Sequence, residues 1–356
     1  MGTAHDKKLE ERKANNQLRS INVFDTSIDF FSNDYLGLSK VATKSKSHKG
    51  STGSRLLSGT QPISIEVESS LAQFFDSQAA LVFNSGYTAN LGVYSCIPLR
   101  GDTILYDEYV HASIRDGIRL SFAAAVSFRH NDLEDLKKKL ISATGTCYIA
   151  VESMYSMEGD MAPLRGILTL ADRYGARVIV DEAHAVGVFG DYGRGIVHAR
   201  AMCERIFLRV ITFGKAYGFH GAAVLCNEKT KQYLVNFSRP FIYTTAPSED
   251  FFQRIKTLIL RKDIYARQKQ LHENLEYFRE TKSEFLISEP NSPIQVIRGV
   301  DINQLRLIAN KCIAQGIYTK PIFSPTVPKG NECLRFCFHS FNSHEEISIL
   351  KNILFF

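Results

Sequence analysis

A lysine and an aspartate each stand at the end of an apolar run. Lys215 follows Gly214 directly after the run 206–212, where a primary amine can be held with a lowered pKa. Asp181 closes Val178-Ile179-Val180, so its carboxylate is expected to be partly buried and to want a cation. His184 lies three residues further on. Gly86 and Tyr87 follow the run 80–83 and open a helical pattern, which leaves backbone N–H groups free for an anion such as phosphate. An amine, an acid able to pair with a ring nitrogen, and a phosphate cradle are what pyridoxal phosphate requires. The lysine would carry the cofactor as a Schiff base. The aspartate would keep the pyridine nitrogen protonated, so that the ring accepts electrons from a substrate's Cα.

These residues need a scaffold that brings distant segments to one edge. Short apolar runs at 80–83, 103–106, 124–128, 147–151, 177–180, 206–212 and 221–226 read as strands. Helical patterns at 63–75, 87–95, 111–120, 133–140 and 164–174 separate them. The alternation predicts an α/β protein: a mainly parallel sheet with helices on both faces and a reversed strand in the last pair. Ligands of such sheets gather outside the carboxyl ends of the strands. His111, Ser156 and Thr212 fall at such ends, beside Asp107 and Glu152. In the first helix, Ile65, Leu71 and Phe75 are expected on one face.

Residues 1–20 read as a polar amphipathic helix. Residues 248–281 read as a charge-dense helical stretch with Phe252, Ile255, Leu258, Ile259, Leu271, Leu275 and Phe278 as its apolar stripe. The remainder, with strands at 294–297 and 334–338 and helices at 302–315 and 344–354, reads as a small α+β domain. The division expected is an N-terminal arm (1–45), a large cofactor-binding domain (46–247), and a connecting helix with the small C-terminal domain (248–356).

Composition supports a soluble globular chain of 356 residues, 44% hydrophobic, with a net charge of +6 that is dispersed. A nucleic-acid binder would more often concentrate that charge in a stripe, so a small anionic ligand fits better and no nucleic-acid partner is expected. No apolar run approaches a membrane span and no secretory segment opens the chain. Seven cysteines without a CxxC pair argue for reduced thiols in the cytoplasm and against a metal site.

Taken in order, several strings resemble the α-oxoamine synthases, fold-type-I pyridoxal-phosphate enzymes, from about residue 10 to the C-terminus. They are Ser32-Asn33-Asp34-Tyr35-Leu36-Gly37, Gly53-Ser54-Arg55-Leu56-Leu57-Ser58-Gly59, Asn84-Ser85-Gly86-Tyr87, Ser156-Met157-Glu158-Gly159-Asp160, Asp181-Glu182-Ala183-His184, Thr212-Phe213-Gly214-Lys215 and Pro325-Thr326-Val327-Pro328. Each string is weak alone; the ordered set is specific. The likeness is greatest to the biotin-pathway members, which condense L-alanine with a pimeloyl thioester, carried on coenzyme A or a carrier protein, and release CO2.

The resemblance implies a role for each matching residue. Lys215 is the Schiff-base lysine, Asp181 the partner of the pyridine nitrogen, and His184 a donor to the ring's phenolate oxygen. His111 stacks on the ring and helps the acyl step. Gly86, Tyr87, Ser156 and Thr212 contact the cofactor. Arg19, Asn33, Thr326 and Arg335 face substrate, Arg335 being the partner of the amino-acid carboxylate. The enzyme is a homodimer with shared sites, in which Thr244 and Thr245 reach the neighbouring subunit's phosphate. Some positions depart from the pattern: Phe323 stands where biotin-pathway members often carry Arg, Thr52 where Gly is usual, Ser64 where His is common, and Ala185 where Ser or Gly is frequent.

Other readings compete. Asp-Glu-Ala-His also marks a magnesium motif of helicases, but that needs an upstream GxxxxGK[ST] loop, and none is present. A nicotinamide dehydrogenase would show GxGxxG after its first strand, and that string is absent. The sister reactions (serine palmitoyltransferase, 5-aminolevulinate synthase and 2-amino-3-ketobutyrate ligase) share the cofactor residues. A non-catalytic fold-type-I subunit would be marked by loss of the lysine, which is present. His130, His198, His220, His272 and His339 read as packing or surface residues, and Cys333 and Cys337 as packing.

Overall fold

The computed structural model describes residues 10–11, 13–15, 28–30, 32–38, 50–281, 283, 285–319, 321–324, 327 and 329–355. The expected helix at 1–20 lies mostly outside them; Glu10, Glu11, Lys13 and Ala14 are helical.

Seven strands form the main sheet: β1 (Ala79–Phe83), β2 (Thr103–Asp107), β3 (Ala124–Phe128), β4 (Cys147–Glu152), β5 (Arg177–Asp181), β6 (Leu208–Thr212) and β7 (Ala222–Cys226). Their order is β1-β7-β6-β5-β4-β2-β3. β7 runs antiparallel to both neighbours and every other pairing is parallel. The carboxyl ends of β1, β2, β4, β5 and β6 therefore share one edge. The helix α1 (Pro62–Phe74) precedes β1, and parallel connections need crossover helices, here α2 (Gly86–Cys96), α3 (Ala112–Arg119), α4 (Leu133–Ile141) and α5 (Leu164–Tyr174). The central strands are apolar on both faces because both faces are covered. Ile149 and Val151 of β4 enter one core layer, while Tyr148 and Ala150 enter the other.

The expected face of α1 is rotated. Val67, Leu71 and Phe75 are buried, but Ile65 is 60% exposed. The inward face carries Glu68, which pairs with Arg55 at 2.8 Å and accepts the Val82 N–H at 3.1 Å. A paired carboxylate can enter the core, and this one turns Ile65 outward.

After β7 come α6 (Glu228–Phe237), α7 (Glu249–Ile259) and α8 (Ile264–Arg279). The stretch expected as continuous at 248–281 is thus two helices. Asp263 sits at the bend, bound by Arg261 and by Arg267, and Arg267 also donates to the Leu36 carbonyl at 2.7 Å. The apolar stripe is buried as expected. The second sheet pairs β8 (Ile294–Arg298) antiparallel with β9 (Cys333–Cys337), flanked by α9 (Ile302–Ala314) and α10 (His344–Phe355). Residues 28–30 and 32–38 are built into this unit: Cys337 N–H donates to the Phe30 carbonyl and Ser340 N–H to that of Tyr35, each at 2.8 Å. Among the described residues no helix is long and apolar enough to cross a membrane, and no His/Cys/Asp/Glu group could hold a metal ion. All seven cysteines are free.

His130, just past β3, ties the sheet edge together. Its Nδ1 lies 2.9 Å from Asp107 and its Nε2 2.8 Å from Asp160, and its ring stacks on Tyr109. Burial alone would lower its pKa; the hydrogen bonds to the two carboxylates outweigh that and raise it to about 10. A histidine pKa raised by folding adds stability that is complete below the unfolded value near ~6.5 and is lost as pH rises through about 10. His130→Gln is expected to cost about 2 kcal/mol at pH 7. In urea titrations the difference from wild type shrinks toward zero as the pH passes about 10.

Candidate active site

At the common strand edge, β5 ends in Asp181 and β4 in Glu152, side by side in register. Asp181 is 5% exposed. Its Oδ2 accepts from Asn90 Nδ2 at 2.7 Å, and its Oδ1 from the Ala183 N–H at 2.8 Å. Asn90 lies one helical turn after Gly86 and so shares its face of α2. Glu152 is buried and accepts the His111 N–H at 2.7 Å. Burial, then repulsion from Asp181, holds its carboxyl well above the usual range, with Lys215 opposing.

Lys215 follows β6 after a two-residue step and is half-buried. Among the described residues its amine has no hydrogen-bond or ion-pair partner. Desolvation lowers its pKa to about 8, against the pull of Asp181 and Glu152. The other side of the site is cationic: Arg335, in the middle of β9, donates from Nε to the Ser156 carbonyl at 2.7 Å and from Nη2 to Asn33 Oδ1 at 2.9 Å.

α2 begins with a cap that leaves two amides free. Ser85 Oγ accepts the Thr88 N–H at 3.1 Å, and Thr88 Oγ1 accepts the Ser85 N–H at 3.1 Å. Gly86 and Tyr87 occupy the first helical positions, whose N–H groups have no intrahelical acceptor. Glycine is required here, because a Cβ on Gly86 would meet Thr212 Cγ2 at 2.6 Å. Thr212 ends β6 and its hydroxyl reaches the Ala183 carbonyl at 3.4 Å. The Tyr87 ring is partly exposed, with its hydroxyl on Asp116.

His111 caps α3, with Nδ1 accepting the Ser113 N–H at 3.2 Å. Its ring is open to solvent in the single chain. The surrounding protein still lowers its pKa, through desolvation first, with Asp181 opposing and Lys215 reinforcing. His184 is 4% exposed; burial, then Lys215, Arg335 and His111, hold it well below the usual histidine range. Its Nδ1 lies 2.9 Å from the Tyr35 hydroxyl. Tyr35 is delivered by a tight turn in which Gly37 N–H donates to the Asp34 carbonyl at 2.8 Å. Gly37 has φ +63°, and a Cβ there would lie 2.7 Å from the Phe341 ring.

The structure therefore brings together Lys215, Asp181, His184, His111, Gly86, Tyr87, Thr212, Asn33 and Arg335 at one edge. Ser156 joins them through its carbonyl. Thr244 and Thr245 lie beside this chain's own Asn84, whose Nδ2 donates to Thr244 Oγ1 and to the Thr245 carbonyl, each at 3.2 Å. Arg19 and Thr326 lie outside the described residues. Sequence reasoning assigns no role to Asn90, to Glu152, which it places at a strand end, or to Tyr35, which lies in one of the motif strings. The helical spacing of Asn90 from Gly86 was a usable signal for the first. Glu152 required the β4–β5 register, and Tyr35 the packing of residues 28–30 and 32–38 on β9.

Pyridoxal phosphate fits this donor set. A partnerless amine, a buried carboxylate and free helix-start amides answer its carbonyl, its ring nitrogen and its phosphate. Comparison with known proteins agrees. The family model for aminotransferases of class I and II matches residues 25–351. The 8-amino-7-oxononanoate synthase of Emericella nidulans is 38% identical, over 90% of this chain and 87% of its own. The solved 8-amino-7-oxononanoate synthase of Francisella tularensis is 30% identical with TM-score 0.77, covering 92% of this chain and 96% of that one. A serine palmitoyltransferase from S. paucimobilis, solved with PLP and myriocin, is 26% identical with TM-score 0.86, covering 98% and 96%. The cofactor of this group is pyridoxal 5′-phosphate, and the chain belongs to the class I and II aminotransferase family, on its α-oxoamine synthase branch.

Proposed function

We propose that the chain condenses L-alanine with a pimeloyl thioester, giving 8-amino-7-oxononanoate, CO2 and the free thiol. The observation that carries this reading is the Lys215 amine, without a hydrogen-bond or ion-pair partner among the described residues and within electrostatic reach of the Asp181 carboxylate and the Arg335 guanidinium, in a chain 38% identical to a protein named for that product.

When bound, pyridoxal phosphate supplies a sink for negative charge at the amino acid's Cα. The chain's residues do the rest. Lys215 anchors the cofactor and, once freed, takes the proton from Cα; an amine with its pKa near neutrality suits a general base. Asp181, held by Asn90 and Ala183, keeps a negative charge where the ring nitrogen needs it. The amides of Gly86 and Tyr87, with Thr212 beside Gly86, receive phosphate, and Ser156 contacts the cofactor from the Arg335 side. Arg335 and Asn33 bind the amino-acid carboxylate and so orient the Cα–H bond. His111 is held by Ser113 and Glu152 as a neutral imidazole at the open face, where the thioester arrives. Arg19 and Thr326 complete the substrate contacts in this reading.

Two further parts belong to the proposal. The chain acts as a homodimer, with Thr244 and Thr245 at the phosphate; the exposed Leu57 and Tyr243 near that edge supply apolar surface for a second copy. The arm, cofactor domain and C-terminal domain divide at 1–45, 46–247 and 248–356, and the enzyme works in the cytoplasm. As for the acyl chain, the Arg306 guanidinium lies 5.4 Å from the centre of the Phe323 ring. Positive charge thus stands beside the position from which arginine is missing, where it can meet a distal carboxylate.

The sister reactions are separated by amino-acid choice. Alanine, glycine and serine titrated separately into the yellow enzyme are expected to give a saturable absorbance change at the lowest concentration with alanine. Saturation by serine or glycine alone would replace the alanine reading with a sister reaction.

A further inference from the structure

The loop that follows β4 closes on itself. Tyr155 N–H donates to the Asp160 carbonyl and Gly159 N–H to that of Tyr155, each at 3.0 Å. These bonds form a neck, and residues 156–158 are its tip. Gly159 has φ +66°, and a Cβ there would run into the Ile294 carbonyl of β8. The tip is fastened to the second sheet and the turn before it. The Ser156 carbonyl accepts from Arg335 Nε at 2.7 Å, and the Glu158 carbonyl from Ser288 Oγ at 2.7 Å. The Glu158 carboxylate pairs with Arg298 at 3.3 Å.

His130 holds the neck from the main sheet. Its Nε2 donates to Asp160 Oδ2 at 2.8 Å, and its ring meets that of Tyr155 at 89°, with centroids 4.6 Å apart. Both limbs of the neck thus rest on one imidazole. Its Nδ1 donates to Asp107 Oδ1 at 2.9 Å, and Asp107 is a fully buried residue that ends β2. Carboxylates only accept, so both ring nitrogens carry protons. Asn131 adds a second tie, its Nδ2 donating to Asp160 Oδ2 at 3.0 Å. One unbroken series of contacts runs from the end of β2 through His130 and the loop to Arg335.

We propose that His130 is a positioning residue for the amino-acid carboxylate: by clamping the neck of this loop to Asp107, it fixes where the Ser156 carbonyl holds the Arg335 guanidinium relative to Lys215. The tip's own bonds join it to Arg335 and Arg298. Releasing the neck therefore lets tip and guanidinium shift together without parting. An amino acid must reach Arg335 with its carboxylate and the Lys215 side with its nitrogen, so the span between those ends is what the clamp sets. This rests on the proposed function for Arg335 as the carboxylate's partner.

The test compares L-alanine with L-alaninamide, which keeps the amine and lacks the carboxylate. Each is titrated by absorbance into enzyme loaded with pyridoxal phosphate, with no acyl donor present. In His130→Gln, whose side chain cannot span both carboxylates, the alanine Kd is expected to rise about tenfold, while the alaninamide and pyridoxal phosphate Kd stay within about twofold. In an Arg335→Lys background, itself weaker for alanine, the same change is expected to add little, because both act on one contact. Equal weakening of the two amines, additive effects with Arg335→Lys, or an unchanged alanine Kd overturns the proposal. Asp160→Asn, which gives up the same charge-assisted bond, is expected to show the same split and decides if His130→Gln does not fold. Failure of both to fold assigns the cluster to stability alone and overturns it. If Arg335→Lys leaves alanine binding unchanged, the carboxylate reading fails and the proposal with it. A wrong reaction assignment shows instead as saturation by another amino acid, and the split is then expected between that amino acid and its amide.

Discussion

Lys215→Ala is expected to lose at least about 10³-fold in kcat, since among the described residues no other amine stands at the site to replace the base. The bonds of Asp181 to Asn90 and Ala183 and of Glu152 to His111 do not involve Lys215 and persist in the variant, so it folds. Removing a half-buried, partnerless amine also removes a desolvated charge, and thermal stability is unchanged or raised. Borohydride treatment of the loaded wild type adds the cofactor's mass to the peptide that contains Lys215 and adds nothing in the variant. The pH profile carries a second signature. Desolvation lowers the amine to about 8, with Asp181 and Glu152 opposing. Turnover limited by proton removal therefore rises with pH to about 8 and then levels. A variant that kept wild-type turnover would remove Lys215 from the chemistry.

Asp181→Asn is expected to reduce kcat by about 10²–10³-fold, the cost of losing one preorganised charge at a reacting system. The swap preserves shape but not donor–acceptor balance. Asp181 accepts from both Asn90 and Ala183, and an amide can accept only with its oxygen, so one bond becomes a donor–donor clash. That costs about 1–3 kcal/mol of stability. The electrostatic consequence separates a functional role from a structural one. Asp181 raises the Lys215 pKa toward its ordinary value, so its neutralisation moves the rising limb of the pH profile to lower pH. A variant merely loosened in structure would lose activity without that acid shift.

The sheet was readable because its signals are local. Val178-Ile179-Val180 followed by Asp181 marks a buried strand ending in a charge, and the alternation with helical patterns implies parallel pairing. The chemistry of Lys215, Asp181 and the Gly86 helix start followed from residue type at strand ends. What stayed hidden depends on contacts between distant segments. Ile65 faces solvent because Glu68 is buried by a partner at position 55 and a strand at 82. The bend at Asp263 contains no glycine or proline; it is stabilised by Arg261 and Arg267 and by the bond from Arg267 to Leu36. Tyr35 belongs to the site only because residues 28–30 and 32–38 pack against β9 and the turn after it, some three hundred positions further on. His130 looked ordinary in sequence, and its pair of carboxylates comes from the ends of two separate segments.

The most direct test of the central claim is the mass of the product. The enzyme, loaded with pyridoxal phosphate, is incubated with uniformly 13C-labelled L-alanine and pimeloyl thioesters of coenzyme A and of a carrier protein, beside thioesters of shorter and longer chains. The account predicts 8-amino-7-oxononanoate carrying two of the alanine carbons, with the third released as labelled CO2, and no such product from Lys215→Ala. A ketone formed only from serine or glycine, or a product that retains all the labelled carbons, would contradict it.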